Sequence, residues 1–465
     1  MLRYGIPDYR LPKDALAGEI ASIAELGATF WMNTRLGTDC TLADLRRDFD
    51  AVFLAIGAQR AQGLRCPGED IALPGIAFLK QVAEDRAPAL GDDVIVVGGG
   101  NTAMDCARSA VRLGARRVTV LYRRTRREMP CLMEEVEGAE QEGVRMEYLT
   151  APIALRSDDH GRLSLTCRRM ELGEADASGR RRPVPIAGSE FALACTTVIA
   201  AIGQSVDTAV AERAGVAVHD WGIATDDRTL ATNLPGVFAG GDAVLGADLA
   251  VRAVAAGRVA AASIDQYLRG AEVTGEPSMV NVRMQPIDDD ERAAIFRAIE
   301  NAPQVPMPQI DMSRRLTPFD EVELGLPELA AEREARRCMT CGCRKAEGCR
   351  VRLLATEYEV DVQRFAGARR RFAQDFSHPE IVYEPGKCIM CDACVRIAAE
   401  ADEALGLATV GRGFDVAIAV PFDQPLSEGL RKVARECAES CPTAALALRG
   451  SGCASSGCAS CALAP

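Results

Sequence analysis

Residues 94–123 read VIVVGGGNTAMDCARSAVRLGARRVTVLYR, and this stretch decides the fold. An apolar run ends in Gly98 and Gly100, a helical pattern starts near Ala103, and the β-rich run VTVLY closes the unit. Strand, glycine turn, helix and second strand in that order make a βαβ unit with a G-x-G-x-x-A dinucleotide fingerprint. The glycines let the backbone approach a pyrophosphate held at the helix N-terminus. Gly98, Gly100, Asn101, Thr102 and Ala103 are therefore the candidate contacts. A strand serving NAD usually ends in an acid for the ribose hydroxyls. This one ends in Arg123-Arg124, followed by Thr125-Arg126-Arg127. Guanidinium groups there suit the 2′-phosphate of NADPH, so Arg123 and Arg124 are assigned to it. The competing reading is a basic loop exposed to water.

Composition sets the bounds around this unit. A chain of 465 residues with 48% hydrophobic content is long enough for two or three domains, each with its own core. No apolar run reaches the roughly 18 residues that a membrane helix needs, and MLRYGIPDYR does not read as a signal-peptide core. The expectation is a cytoplasmic protein with no membrane contact. A formal net charge of −12 argues against nucleic acid as partner. The runs Arg180 to Arg182 and Arg369 to Arg371 are read as solvated turns. His160, His219 and His378 stand in no catalytic constellation and are read as structural or exposed.

Two segments flanking the fingerprint share a pattern. DAVFLAIGAQ (50–59) and TTVIAAIGQS (196–205) are each an apolar strand ending in Ala-Ile-Gly, at Gly57 and Gly203. Further on, GVFAGGDAVLGADLAVRAVAAGRVAAASI (236–264) offers a strand, Gly240-Gly241-Asp242 and an alanine-rich helix. These segments resemble the crossing strands and the flavin-side turn of disulfide-reductase-like flavoproteins. Together, MLRYGIPDYRLPK, VVGGGNTAMDCARSAVRLGA, YRRTRREMP and GVFAGGDA resemble the small chain of glutamate synthase and its relatives, over residues 1 to about 275. The resemblance implies an FAD-dependent NADPH oxidoreductase with two Rossmann-type domains. It implies that Asp242, with Gly241, meets the flavin ribityl chain, and that Arg3 and Tyr4 of the MLRYGIP segment lie against the isoalloxazine. It further implies that Gly57 and Gly203 close the crossing strands beside the cofactors.

In that family the MLRYGIP segment follows a βαβ unit that grips the ADP half of FAD. The expectation is that this piece is encoded upstream of Met1. The alternatives are that another polypeptide supplies it, or that FAD is no longer held well.

The cysteines divide the chain. Of 18, six are scattered before residue 330, and twelve follow from Cys338 onward. Cys40, Cys66, Cys106, Cys131, Cys167 and Cys195 read as small buried hydrophobes. Cys338, Cys341, Cys343 and Cys349 form a compact set able to hold an iron–sulfur cluster or zinc. Cys388, Cys391 and Cys394 have the spacing of a bacterial ferredoxin run, and Cys441 with Pro442 adds the remote fourth ligand. That completes one 4Fe–4S site. A twin cluster would need cysteines at 398, 431 and 434 beside Cys437, and those positions hold Ala398, Arg431 and Ala434. Cys437 is then a spare thiol. Residues 378–448 also resemble the ferredoxin-like segment of complex-I-type and formate-dehydrogenase-type catalytic subunits. Cys453, Cys458 and Cys461 lie in a tail rich in glycine and serine, expected to be flexible.

The expected architecture is α/β, a two-dinucleotide-binding-domain flavoprotein of disulfide-reductase-like, Rossmann type with a C-terminal cysteine-rich α+β ferredoxin-like domain. Its expected parts are a first FAD segment (1–90), an NADPH domain (91–205), a second FAD segment (206–275) and a helical connector (276–335). A four-cysteine region (336–375), the ferredoxin-like domain (376–450) and the tail (451–465) complete it. The expected function is NADPH oxidation through FAD and iron–sulfur to a larger catalytic subunit or a ferredoxin-like acceptor, in a hetero-oligomer. The competing classes are a non-catalytic electron-transfer or scaffold subunit and a zinc-binding regulatory protein.

Overall fold

A computed structural model describes residues 1–449 except 160, 176–178, 277–278, 283–286, 298–301, 317–318, 339–341, 347, 365–366, 368 and 371–372; for 294–295 it describes the backbone alone. The chain forms two units, one of Met1–Glu276 with Met307–Leu326 and the other of the remaining residues.

The first unit is built on a five-stranded parallel sheet in the order Leu73–Pro74, Thr197–Ala200, Asp93–Val97, Arg117–Tyr122, Arg145–Tyr148. Alternation along the fingerprint strand explains its burial on both faces. Val94 and Val96 face the helices Asn101–Arg112 and Gly75–Ala83, among Phe78, Leu79, Met104 and Val136. Ile95 and Val97 face the opposite way, into Leu121, Leu155, Leu165 and Cys167. That second face is covered by an antiparallel sheet of Thr150–Ser157, Leu163–Ala175 and Arg181–Cys195. Each aliphatic side chain buried in this way contributes about 1.5–3 kcal/mol.

The two Ala-Ile-Gly segments part company. The second forms Thr197–Ala200 in the five-stranded sheet, whereas the first forms only Val52–Leu54, paired in parallel with Val237–Ala239 in a sheet of two. Just beyond them Arg60–Ala61 and Gln204–Ser205 pair antiparallel, so the segments meet where the chain crosses between the halves. Helix Ala250–Leu268 follows the short pair. Leu73–Pro74 and Gly75–Ala83, inside the expected first flavin segment, join the five-stranded sheet, because Phe78 and Leu79 need its apolar cover. Residues 307–326 of the expected connector pack in the first unit, where Ile310 and Val322 bury Tyr9.

The second unit has an α+β core. Ile381–Tyr383 pairs antiparallel with Leu446–Leu448, and Ala408–Val410 with Ala417–Ala419. Helices Ala393–Glu400 and Ala434–Ser440 pack on them through Ala398, Ala434, Cys437 and Ala438, with Leu430 from the preceding loop. Among the described residues no helix is long and apolar enough to cross a membrane.

Candidate functional site

The fingerprint turn has the geometry that its glycines require. Gly98 has φ of +150°, and a Cβ there would collide with the Ala201 carbonyl. At Gly99 a Cβ would strike the Tyr122 ring, while at Gly100 it would meet nothing within 4 Å. The open approach is thus at Gly100, the residue that starts helix Asn101–Arg112, and no side chain caps this end. An uncapped helix N-terminus with open space before it suits an anion. Ala103 is fully buried against the sheet, and Thr102 is half-buried at the surface of the turn. Asn101 instead spends its Oδ1 accepting from the Leu132 N–H at 3.1 Å, which ties the helix to the loop after the arginines.

The arginines at the strand end separate by role. Arg123 is exposed. Arg124 is buried, its Nε donating to the Arg181 carbonyl at 2.8 Å, so it knits the strand end to the antiparallel sheet. Arg126 pairs with Glu140 at 2.8 Å. Of the two arginines read as 2′-phosphate ligands, only Arg123 presents an exposed charge.

In the other half, Gly57, Gly203 and Gly241 all take positive φ, at +68°, +135° and +65°. Gly241 starts the short helix Asp242–Leu245. Burial raises the Asp242 carboxyl above its ordinary range, offset in part by a backbone hydrogen bond from Asp248. Arg3 is exposed, and Tyr4, also exposed, has the Lys80 ammonium 5.5 Å from its ring centroid.

Sequence reasoning missed a buried ion network on the fingerprint helix. Asp105, Arg108 and Arg112 have the spacing of an exposed polar stripe, yet each is at most 6% exposed. Arg108 and Arg112 both grip Glu142, at 2.8 and 2.6 Å. Arg10 bridges Asp105 at 2.9 Å and Glu135 at 2.7 Å. Tyr9 lies under both guanidinium groups, 3.9 Å from Arg112 and 4.6 Å from Arg108. Burial raises the Asp105 carboxyl to about 6, against the opposing pull of Arg10. Burial also acts to raise Glu142, but its hydrogen bonds to Arg112 and Arg108 outweigh it and hold the carboxyl low.

In the second unit, Cys388, Cys391, Cys394 and Cys441 line one cavity, with apolar walls from Ile418, Ala445 and Leu446. Burial raises the Cys394 thiol to about 11, and the neighbouring thiols of Cys388, Cys441 and Cys391 push it the same way. Backbone N–H groups already point at two sulfurs, Met390 to Cys388 and Leu446 to Cys441, each at 3.4 Å. Soft sulfur donors with N–H support in an apolar cup fit a four-iron cluster. Where a twin cluster would lie, Ala398, Ala434 and the buried Cys437 are packed into apolar core. Arg431 pairs with Glu428.

Of the compact set, Cys338 and Cys343 are exposed, whereas Cys349 is buried at the start of helix Arg350–Glu357. Cys341, like Cys453, Cys458, Cys461 and His160, lies outside the described residues. No three or more His, Cys, Asp or Glu among the described residues form a group for a single metal ion. His378 is structural, with Nε2 3.0 Å from the Leu430 carbonyl and Nδ1 accepting from the Glu380 N–H. His219 stacks on Trp221.

The profile of the pyridine nucleotide-disulphide oxidoreductase family matches residues 34–257, from before the first short strand to within helix Ala250–Leu268. A candidate NADPH glutamate synthase small chain of Cereibacter sphaeroides is 38% identical over 283 residues, covering 58% of this chain and 68% of that protein. The chain belongs to the glutamate synthase small-chain family. Two further relatives match more of this chain. The β subunit of the NADP(+)-dependent formate dehydrogenase of Moorella thermoacetica is 46% identical over 73% of this chain and 49% of its own length. The NADPH-Fe(3+) oxidoreductase β subunit of Geobacter sulfurreducens is 38% identical over 73% and 55%. The chain thus spans about half the length of these two. Membership in the small-chain family accords with the two-dinucleotide-domain α/β fold class, and the matched segment includes both the fingerprint and the Gly240–Asp242 turn.

Proposed function

We propose that this chain is an NADPH-dependent flavin and iron–sulfur oxidoreductase subunit that moves electrons from NADPH through FAD to one 4Fe–4S cluster. The acceptor is a larger catalytic subunit or a ferredoxin-like protein, in a cytoplasmic hetero-oligomer. The observation that carries this reading is the presence, in one chain, of an uncapped dinucleotide helix and a cavity walled by four cysteines. The relatives named as β subunits of a formate dehydrogenase and of an Fe(3+) oxidoreductase support it.

The chain's own groups divide the work. Gly100 leaves room for the pyrophosphate, which the first N–H groups of the helix at Asn101 and Thr102 receive, while Gly98 packs on the Ala201 carbonyl and the Ala103 N–H closes the turn on the Gly100 carbonyl. Arg123 supplies charge for the 2′-phosphate, while Arg124 braces the strand that presents it. Gly57, Gly203, Gly241, Asp242, Arg3 and Tyr4 line the flavin side, and Asp242 accepts hydrogen bonds from the ribityl chain. Flavin, when bound, takes up a hydride and releases electrons singly, and a four-iron cluster carries one at a time. Cys388, Cys391, Cys394 and Cys441 hold that cluster. Hydride transfer asks no side chain to act as a strong acid or base. Cys338, Cys341, Cys343 and Cys349 are assigned to a second metal, iron–sulfur or zinc.

Anaerobic reconstitution tests the reading. The reduced chain should give a low-temperature 4Fe–4S EPR signal from this site that is absent in Cys391→Ala and intact in Cys437→Ala; loss in both would refute the ligand set. Metal remaining in Cys391→Ala identifies the second site as iron or zinc. If NADPH reduces no dye with FAD added, the chain is a non-catalytic electron-transfer subunit.

A further inference from the structure

We infer that Lys345 tunes the reduction potential of the cluster at Cys441; this rests on the four-cysteine reading above. Lys345 lies in the segment between Cys338 and Cys349, outside the ferredoxin run. Its ammonium donates to three carbonyl oxygens, those of Ala438 at 3.3 Å, Glu439 at 2.7 Å and Cys441 at 3.2 Å. An ammonium has three donors, and here each has an acceptor on the segment that ends helix Ala434–Ser440 and carries the fourth ligand. One of those acceptors is the backbone of the ligand residue itself. The segment is fastened at a second place, where the Val351 N–H donates to the Pro442 carbonyl at 3.2 Å and the Cys349 thiol lies 3.5 Å from the same oxygen. Lys345 is therefore held in position, and its charge does not wander as that of a fully solvated lysine would.

A fixed positive charge beside a cluster favours the reduced form, which carries one more negative charge, and so raises the midpoint potential. Charge from Lys345 falls beside the backbone of Cys441. Carbonyl binding at a helix C-terminus is also a purely structural role, so the test must read potential and not only stability.

The experiment is a potentiometric titration of the reconstituted full chain, followed by EPR of the cluster, in wild type, Lys345→Met, Lys345→Gln and Lys345→Arg. The expected result is a shift to more negative midpoint in the Met and Gln variants, with iron and sulfide content unchanged, and a near-wild-type midpoint in the Arg variant. An unchanged midpoint in Met and Gln overturns the tuning role. So does loss of the cluster in both with retention in Arg, which would make Lys345 a strut alone. A wild-type chain that binds no cluster overturns this inference together with the reading on which it rests.

Discussion

The two nucleotide halves of the first unit differ in how far each encloses itself. The half bearing the fingerprint has five parallel strands, helices on one face and an antiparallel sheet on the other, with Val96, Ala103 and Ile199 fully buried. The other half pairs Val52–Leu54 with Val237–Ala239 in a sheet of two, beside a separate short pair of Val218–His219 with Gly222–Ile223. Its helix Ala250–Leu268 exposes Val251 and Val254 to about two-thirds, and Leu249 precedes them equally bare. A parallel sheet is stable when both faces are covered. Among the described residues, this helix of 19 residues stands beside a sheet of two strands. Glycine motifs of similar appearance in sequence thus stand in very different packing.

The contrast should appear most strongly in Glu142→Ala. Removing this carboxylate leaves Arg108 and Arg112 buried without their shared partner, an expected loss of about 3–5 kcal/mol by denaturant unfolding. A loss within the range of a surface substitution would show that the network is solvated.

A smaller effect concerns pH. The Asp105 carboxyl rises from 3.8 to about 6 on folding, so between those values the folded chain holds a proton that the unfolded chain has lost. Stability from this group is therefore present at low pH and is lost as pH rises through about 6. The amount is about 2–3 kcal/mol. Asp105→Asn cannot titrate, so the wild-type-minus-variant stability should fall between pH 4 and 7 and then level off. A flat difference across that window would break the assignment.

The smallest effect is expected in the open half. Val254→Ser should change the stability of the chain by no more than about 0.5 kcal/mol, because the side chain is already in water. A loss comparable to that from a buried valine would show this helix face to be covered in solution, and would erase the difference between the halves.

Much of this was legible along the chain because the signals are local. A glycine pattern between an apolar strand and a helix needs only neighbours to be read, and so does the spacing of Cys388, Cys391 and Cys394. Even the remote Cys441, flagged by the Pro442 that follows it, lines the same cavity as those three. The Tyr9 and Arg10 network was invisible for the opposite reason. Asp105, Arg108 and Arg112 look solvent-facing at helical spacing, and only the Tyr9-Arg10 segment together with Glu135 and Glu142 makes their burial tolerable.

By itself, then, the sequence determined the βαβ unit at 94–123 and the family. Tertiary structure alone decided which arginine faces outward at the strand end. Arg124 turns to the Arg181 carbonyl, a partner 57 residues away, and Arg123 does not. It also decided that the Ala-Ile-Gly strands enter different sheets, and that Lys345 meets the backbone of Cys441. The physical reason is common to all three. Periodicity and spacing encode what a residue does within its own element, whereas burial and pairing depend on which distant backbone and side-chain groups the fold brings alongside.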